Sequence, residues 1–562
     1  MNLKEYVAGR LAGITPLEKN DILGLLALPP TDDMGDLAFP CFALAKTFRK
    51  APPMIAAELA ASYAPDEWVE KAEAVGGYLN FYFKREAVAK SVISDVLSKG
   101  KAYGTDTLGE NKTVLVEYSS PNIAKPFHVG HLYSTAVGNA LANIYEALGY
   151  NVQRLNHLGD WGTQFGKLIC AYKRWGDKET IEKDPINELL KIYVRFHNEA
   201  EEDPALEDEA RHYFKLLEEG DEEATALWTW FREVSLREFK STYDRLGIAF
   251  DSYNGEAFYG DKMAAVVDEL KEKDLLVESE GAQIVDLSDE GLPPCLLLKS
   301  DGATIYATRD VTAALYRKQH YDFYKNIYVV GLPQSLHFKQ IFAVLKKMGY
   351  DCADDCVHVG FGTVKLSDGK LSTRGGKVVL LEDVLKESVA RTEAKIREAG
   401  IVTEDVEEIS EKIGVGAVLY AFLHNSREKD IVFSWEDMLD FEGESAPYVQ
   451  YSYARGKSIL RRAEESGKLP ESFCVTDEEY ALIKALDGLN AAIRDSAEKN
   501  EPFVVNRYVT NLARCFNKFY NTSSILKEEG DVRAFRLVLC EAACIGIQNA
   551  LGLLGIQTVE QM

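Results

Sequence analysis

A strand, a proline-interrupted loop, a helix and a second strand follow one another in the first third of the chain. TVLVEY (113–118) is a run of β-branched and apolar residues, which is typical of a buried strand. Pro121 and Pro126 oppose helix in the segment that follows, and a helical pattern then begins at His128. NVQRLN (151–156) is the next predicted strand. Because a helix that joins two strands in this way forms a parallel crossover, the sequence predicts an α/β fold with a Rossmann-like parallel sheet.

The rest of the chain predicts further domains, since 562 residues are too many for one hydrophobic core. GDLAFPCFALAK (35–46) and GGYLNFYF (76–83) frame a small α/β domain, whereas NIYVVG (326–331) and HVGFGTVKL (358–366) each predict a further strand of the sheet. The predicted domains are a small N-terminal α/β domain at 1–108, the sheet domain at 109–383 with a helical insertion at about 167–245, a helical connector at 384–443 and an all-α bundle at 444–562.

Composition narrows the class of protein. No apolar run reaches about 18 residues and the N-terminus lacks a signal peptide's apolar stretch, so we expect a cytoplasmic protein without a membrane span. The nine cysteines are scattered without a CxxC pair, which predicts reduced thiols and no zinc site. The net charge of −25 neither supports nor excludes an RNA partner, because charge is uneven: 181–223 holds 15 acidic and 5 basic residues, whereas 444–562 holds 16 and 14.

HVGH (128–131) opens the helix that follows the first strand of the crossover. A helix N-terminus offers free N–H groups and partial positive charge, which suits phosphate. Gly130 would let a nucleotide approach the backbone, while His128 and His131 lie on one helical face and could donate hydrogen bonds to a phosphate under attack. Lys125 could add a fixed positive charge. From these residues alone, two capping or surface histidines remain an equal alternative.

HVGH resembles the HIGH signature of class I aminoacyl-tRNA synthetases. The longer run EYSSPNIAKPFHVGHLYSTAVGNAL is similar to the arginine-specific members in particular, and NHLGDWGTQFGKL (156–168) resembles the segment that follows in that family. The likeness extends from GDLAFP near the start to LLGIQ near the end. It implies an enzyme that uses ATP to activate arginine, with Lys125, His128 and His131 in catalysis and with His128, Gly130 and His131 against ATP.

KLSTR (370–374) resembles the second signature of the class, the KMSKS loop. Such a cationic loop would close over the triphosphate, so the resemblance assigns Lys370 and Arg374 to catalysis and Ser372 to ATP. Thr373 departs from the class pattern, which has a second lysine there. Arginine-specific members often lack that lysine and carry one just before HIGH, so Lys125 is expected to supply the missing charge. A solvated basic loop is the alternative.

Selection of arginine calls for carboxylates, because a planar guanidinium is best bound by bidentate hydrogen bonds. Glu117 ends the first strand, and Asp310 lies four residues after Tyr306 on a predicted helix. Spacing alone favours ordinary ion-paired carboxylates, and the assignment to arginine rests on the family likeness. That likeness implies guanidinium contacts from Glu117, Tyr306 and Asp310, contacts to the amino and carboxyl groups of arginine from Ser119, Asn122 and Gln334, and a place for His337 near ATP.

Bases alternate with aromatic residues in the last part of the chain, as in YVQYSYARGKSILRRA (448–463). Basic side chains neutralise phosphates, and aromatic rings stack on unpaired nucleotides. Without the resemblance, a helical bundle with a solvated charged face is an equal alternative. The resemblance implies that 444–562 binds the anticodon and that 1–108 meets the tRNA elbow. The predicted tRNA-binding residues are Arg455, Lys457, Arg462, Arg507, Arg514 and Lys518.

The implied reaction joins L-arginine to tRNA(Arg) through an arginyl-adenylate and releases AMP and diphosphate. Magnesium is expected to enter with ATP, since no dedicated metal ligands are evident, and a monomer without DNA or membrane partners is expected. One competing hypothesis is a nucleotidyltransferase of the HxGH type that acts on a small molecule. Its members are typically shorter and lack a C-terminal helical bundle. A non-catalytic RNA-binding relative is the other, against which the intact HVGH and KLSTRGGK motifs argue.

Overall fold

The computed structural model describes residues 3–366, 380–398, 405–463 and 467–562. The chain divides into two compact units, each built from separate segments. The first unit comprises Met1–Tyr103, Ser452–Leu489 and Asn511–Asn549. The second comprises Gly104–Tyr451, Asn490–Thr510 and Ala550–Met562.

The N-terminal part of the first unit is a small α/β structure, as predicted. Strands from the two predicted apolar runs pair antiparallel, with Phe39 opposite Leu79, and bury their rings and aliphatic chains against helices. Its elements are α1 Leu3–Ala12, α2 Lys19–Leu25, β1 Leu37–Pro40, α3 Ala45–Phe48, α4 Pro52–Ser62, β2 Val69–Val75, β3 Tyr78–Phe83 and α5 Arg85–Lys99.

The remaining strands lie in the second unit. They are β4 Thr113–Glu117, β5 Asn151–Leu155, β6 Val277–Ser279, β7 Ala282–Val285, β8 Cys295–Leu298, β9 Lys325–Gly331, β10 Cys356–Phe361, β11 Val364–Leu366 and β12 Ile431–Phe433. Four of them form the predicted parallel sheet in the order β10-β9-β4-β5. The chain runs from β4 outward to β5 and returns to the other side of β4 as β9, so the strand order reverses between β4 and β9. Ligands bind beside such a reversal, at the carboxyl ends of the strands.

Two features of the strands differ from the prediction. HVGFGTVKL is not one strand, because β10 ends at Phe361 and β11 pairs parallel with β12 instead. The break falls at Gly362, where an added Cβ would lie 2.6 Å from the carbonyl oxygen of Lys429. The antiparallel sheet β6-β7-β8 was not predicted. Its strands have three or four residues, too few for a clear alternation of apolar and polar positions.

Helices surround the sheet, and the predicted insertion is helical. The helices before the last part of the chain are α6 Val129–Ala147, α7 Thr163–Trp175, α8 Lys178–Lys183, α9 Pro185–Glu202, α10 Ala205–Glu218, α11 Glu222–Leu246, α12 Met263–Glu272, α13 Tyr306–Tyr321, α14 Ser335–Lys347, α15 Leu381–Glu398, α16 Val406–Leu423 and α17 Trp435–Met438. α6 joins β4 to β5 and is buried along most of its length. It approaches the sheet closely because Gly138 leaves room for Tyr118: a Cβ there would lie 2.2 Å from that side chain.

The last part of the chain is helical, as predicted. Its helices are α18 Ala446–Ala463, α19 Asp477–Asp487, α20 Leu489–Lys499, α21 Phe503–Thr522 and α22 Gly530–Leu553. Among the described residues, α22 alone is long and apolar enough to cross a membrane by length and composition, but 67% of its most apolar stretch is buried inside the protein. Such burial is typical of a helix in a protein core.

Candidate active site

The loop between β4 and α6 has an unusual backbone. Ser119, Ser120 and Ala124 have positive φ angles of 70°, 47° and 58°, which residues other than glycine rarely adopt. Such a conformation persists only where the surrounding structure holds it. Asn122 and Lys125, both predicted to contact substrates, are exposed on this loop. The loop therefore presents two polar side chains at the carboxyl end of a central strand.

The segment NHLGDWGTQFGKL packs against this loop. The N–H of Ile123 donates to the carbonyl of Gly159 at 3.1 Å, and the N–H of Gly159 donates to the carbonyl of Pro121 at the same distance. A Cβ at Gly159 would lie 2.1 Å from the Oδ1 atom of Asn122. Glycine is therefore required at 159 for Asn122 to keep its position.

The two histidines of HVGH cap the helix that they open. The Nδ1 atom of His128 accepts the N–H of Gly130 at 3.1 Å, and the Nδ1 atom of His131 accepts the N–H of His128 at 3.2 Å. The two rings stack with their centroids 3.8 Å apart. A Cβ at Gly130 would lie 2.9 Å from the His128 ring, so the glycine makes room for the cap itself. The capping alternative and the predicted role in ATP binding thus use different nitrogens of the same rings.

Burial lowers the pKa of both histidines, and it lowers that of His131 to about 3 together with the nearby charges of His128 and Lys125. Both rings are therefore neutral near pH 7. Since each Nδ1 accepts a hydrogen bond, each neutral ring carries its proton on Nε2. The motif offers two N–H donors of fixed tautomer, with Lys125 close enough to act on His131 electrostatically.

Lys370, Ser372 and Arg374 lie outside the described residues, so their predicted roles stay predictions. The chain is described again from Leu380, which forms a bridge with His128. Next to it, the N–H of Leu381 donates to the carbonyl of Phe127 at 2.9 Å. The first described residues after the KLSTR segment, Leu380 and Leu381, are therefore hydrogen-bonded to the backbone at the start of HVGH.

The two carboxylates predicted to select arginine share one neighbourhood. Glu117 and Asp310 both act electrostatically on His157 and on Tyr328. Burial lowers the pKa of His157 in spite of these carboxylates. Asp310 follows Tyr306 by one turn of α13, and the Tyr306 side chain is 62% exposed. Gln334 is also exposed, at the start of the helix after β9. The sheet thus brings together acidic and polar groups from both sides of the strand-order reversal.

Models of three known families match successive parts of the chain. The model described as "tRNA synthetases class I (R), catalytic domain" matches residues 92–435. "Arginyl tRNA synthetase N terminal domain" matches 1–83 and "DALR anticodon binding domain" matches 449–562. The chain belongs to the arginyl-tRNA synthetase family.

Individual relatives agree with this family. The chain is 56% identical to proteins named arginine–tRNA ligase from Clostridium botulinum (strain 657 / Type Ba4) and Clostridium beijerinckii, over 100% of each chain. Among solved structures it is similar to Thermus thermophilus arginyl-tRNA synthetase, with a TM-score of 0.83 at 27% identity over 100% of this chain and 99% of the other. The Plasmodium falciparum arginyl-tRNA synthetase gives 0.77 at 25% identity over 96% and 94%.

Two residues that were predicted to contact substrates, Glu117 and His337, instead contact other residues of the protein. Glu117 forms a buried ion pair with Arg317 at 2.5 Å. The carboxylate that was predicted to bind the guanidinium of the substrate is therefore bound to a guanidinium of the protein. His337, assigned to ATP, donates to Asp310 from Nε2 at 2.6 Å. The Ser119 hydroxyl is buried and bonded to two other hydroxyls. Direct contacts of these residues with substrates stay predictions.

Sequence reasoning missed Arg317 and Glu256. Arg317 follows Asp310 by seven residues, so helical periodicity places both on one face of α13 and could have indicated it. Glu256 lies 3.5 Å from Arg309, and its pKa is raised to about 7, mainly by burial. It is the first residue of a 3₁₀ segment, Glu256–Lys262, and no local pattern distinguishes it from a surface glutamate.

The predicted tRNA-binding residues lie on α18 and α21. Arg455 donates to Asn517 Oδ1 at 2.8 Å and lies over the Tyr520 ring at 4.6 Å, whereas Lys457 lies 6.0 Å from the Tyr453 ring. On α21 the basic side chains are exposed while the apolar residues between them are buried, as predicted for a charged face. Of the six predicted residues, four are exposed: Arg462 on α18, and Arg507, Arg514 and Lys518 on α21.

Proposed function

We propose that this protein ligates L-arginine to tRNA(Arg) at the expense of ATP. The arginine carboxylate attacks the α-phosphate of ATP, which gives arginyl-adenylate and diphosphate, and the terminal ribose hydroxyl of the tRNA then takes the arginyl group and releases AMP. Family membership over the full chain carries the proposal. No protein nucleophile is needed, because the chemistry requires positioning and charge stabilisation.

The geometry supports a triphosphate beside HVGH. Two neutral histidines with their protons on Nε2 donate hydrogen bonds without adding a net charge, and Lys125 supplies the fixed positive charge. The bridge between His128 and Leu380 supports action of the 370–374 segment at the same place. Magnesium enters with ATP, where phosphates and water supply most of its ligands.

The geometry also supports arginine beside Asp310. Its carboxylate is oriented by His337 and lies at the edge of the strand-order reversal, with the Tyr306 ring exposed one turn away. The Glu117 carboxylate lies in the same neighbourhood, paired with Arg317. Asn122, exposed on the strained loop, holds the amino or carboxyl group of the substrate.

The remaining assignments follow from the family. Residues 444–562 bind the anticodon through the basic side chains of α18 and α21, and residues 1–108 contact the tRNA elbow. The protein acts in the cytoplasm as a monomer that binds neither DNA nor membranes. Light scattering after size-exclusion chromatography tests the oligomeric state, since a dimer would have twice the 62.7 kDa mass of one chain.

ATP–pyrophosphate exchange tests the activity. The protein is assayed with each standard amino acid, with and without tRNA, and then for charging of tRNA(Arg). Exchange with arginine and charging of tRNA(Arg) are expected. Exchange with another amino acid instead of arginine would contradict the proposed specificity. Adenylation of a small molecule that needs no tRNA would favour the nucleotidyltransferase, which the C-terminal match does not favour. Tight tRNA binding without exchange would indicate a non-catalytic relative.

A further inference from the structure

Helix α11 of the insertion touches the strained 119–125 loop at two points. The Oγ atom of Ser235 accepts the N–H of Ala124 at 3.2 Å, and the hydroxyl of Tyr243 forms a 2.7 Å hydrogen bond with the Ser119 hydroxyl. Ser235 and Tyr243 are fully buried and eight residues apart, so they lie on one side of the helix two turns from each other. Phe239 lies between them, and its ring packs against Phe127 at 5.8 Å.

These contacts fall on residues whose backbone needs support. Ser119 and Ala124 have positive φ angles, and both are buried. The hydroxyl of Ser235 satisfies the N–H of one of them. Tyr243 accepts a hydrogen bond from Asn156 at 2.9 Å, so its own hydrogen can be donated to Ser119. α11 therefore holds both ends of a loop that its own sequence does not favour.

The two ends of the loop serve different substrates under the proposed function, on which this inference rests. Ser119 lies two residues after Glu117, on the arginine side. Ala124 immediately precedes Lys125, on the triphosphate side. We infer that Tyr243 and Ser235 are positioning residues for the adenylation step. Tyr243 holds the arginine side of the loop in place through Ser119, and Ser235 fixes the position of Lys125 through Ala124.

A purely structural role would give a different result. If α11 only filled the core, loss of either hydroxyl would lower the melting temperature and would change the kinetics for both substrates together. Separate positioning predicts that loss of the Tyr243 hydroxyl changes the KM for arginine, whereas loss of the Ser235 hydroxyl changes kcat.

Steady-state ATP–pyrophosphate exchange with tRNA present tests the inference on the full chain. Tyr243→Phe removes the hydrogen bonds of this hydroxyl with Ser119 and with Asn156. It should raise the KM for arginine about tenfold, the effect of losing the buried bond to Ser119, with the KM for ATP changed by less than about twofold. Ser235→Ala should lower kcat about tenfold, since Lys125 acts in the transition state, with the KM for arginine nearly unchanged. The matched controls are Ser241→Ala, at an exposed position of α11, and Tyr213→Phe, on the neighbouring helix α10; both should behave as the wild type.

A double variant gives a second test. Ser119→Ala removes the same hydrogen bond from the loop side, together with the bond to Thr135. Because Tyr243 acts through Ser119, the double variant should raise the KM for arginine no further than Ser119→Ala alone. The inference is overturned if the two effects add, if both substitutions change both KM values in parallel, or if only the melting temperature changes. If the wild-type protein does not exchange with arginine, the proposed function fails instead, and the two failures are thus distinguishable.

Discussion

The buried pair of Glu117 and Arg317 allows a sharp prediction about stability. The Arg317 side chain is 2% exposed and that of Glu117 is 9% exposed, and their charged atoms approach to 2.5 Å. Arg317 also lies over the Tyr328 ring at 5.4 Å. Replacement of Arg317 by methionine keeps the apolar bulk and leaves the Glu117 carboxylate buried without its partner. The expected loss in the free energy of unfolding is about 3–5 kcal/mol, because an uncompensated charge remains in the interior.

A double-mutant cycle separates the pair from general packing. Glu117→Gln should cost a similar amount, since it leaves the guanidinium without its carboxylate. The double variant Glu117→Gln/Arg317→Met leaves neither charge, so its loss should be at least about 2 kcal/mol smaller than the sum of the two single losses. Lys318→Met is the matched control on the same helix: Lys318 pairs with Asp322 at the surface, and such pairs contribute less than about 1 kcal/mol.

Urea denaturation followed by tryptophan fluorescence measures these changes. Five of the six tryptophans lie in the same unit as the pair, so the signal reports mainly the unfolding of that unit. A stabilising ion pair is excluded if Arg317→Met lowers the free energy of unfolding no more than Lys318→Met does. It is also excluded if the two single losses add within about 0.5 kcal/mol, which is the behaviour of independent sites.

Three further predictions concern the proposed site. Lys125→Met should lower kcat in pyrophosphate exchange about 100-fold, the usual effect of removing one group that stabilises transition-state charge; a loss of a few-fold would contradict its role. Asp310→Asn should raise the KM for arginine more than about tenfold while the KM for ATP changes little, and equal changes in both would argue against a guanidinium contact. The pKa of Glu256 is raised from 4.5 to about 7 by burial, so between these pH values the folded protein holds a proton that the unfolded chain has released, and stability falls as the pH rises. In urea titrations at pH 5 and pH 8, Glu256→Gln should remove about 3 kcal/mol of that fall, and an unchanged difference between the two pH values would show that Glu256 does not titrate in this range.

Much of the framework could be predicted from local patterns. The strand at TVLVEY, the helix from HVGH and the strand at NVQRLN all occur, with boundaries shifted by one residue at most. Each depends on short-range causes: β-branched residues in a buried strand, prolines that oppose helix, and a histidine that caps the backbone two residues on. The parallel arrangement follows from the crossover rule and needs no long-range information.

Other features could not be predicted in this way. The two residues that hold the 119–125 loop lie in the helical insertion, where no motif links them to the loop, and Tyr243 is 124 residues from Ser119 along the chain. The left-handed backbone of Ser119, Ser120 and Ala124 gives no sequence signal, because glycine is absent from these positions.

The family, the parallel sheet and the residue types proposed to face ATP and arginine could all be predicted from the sequence, since they depend on contiguous motifs and on periodicity. The partners of these residues became visible only in the folded chain: Arg317 for Glu117, His337 for Asp310, and α11 for the strained loop. A side chain's charge and hydrogen-bonding capacity are local properties, whereas its partner is selected by the packing of segments far apart in the chain.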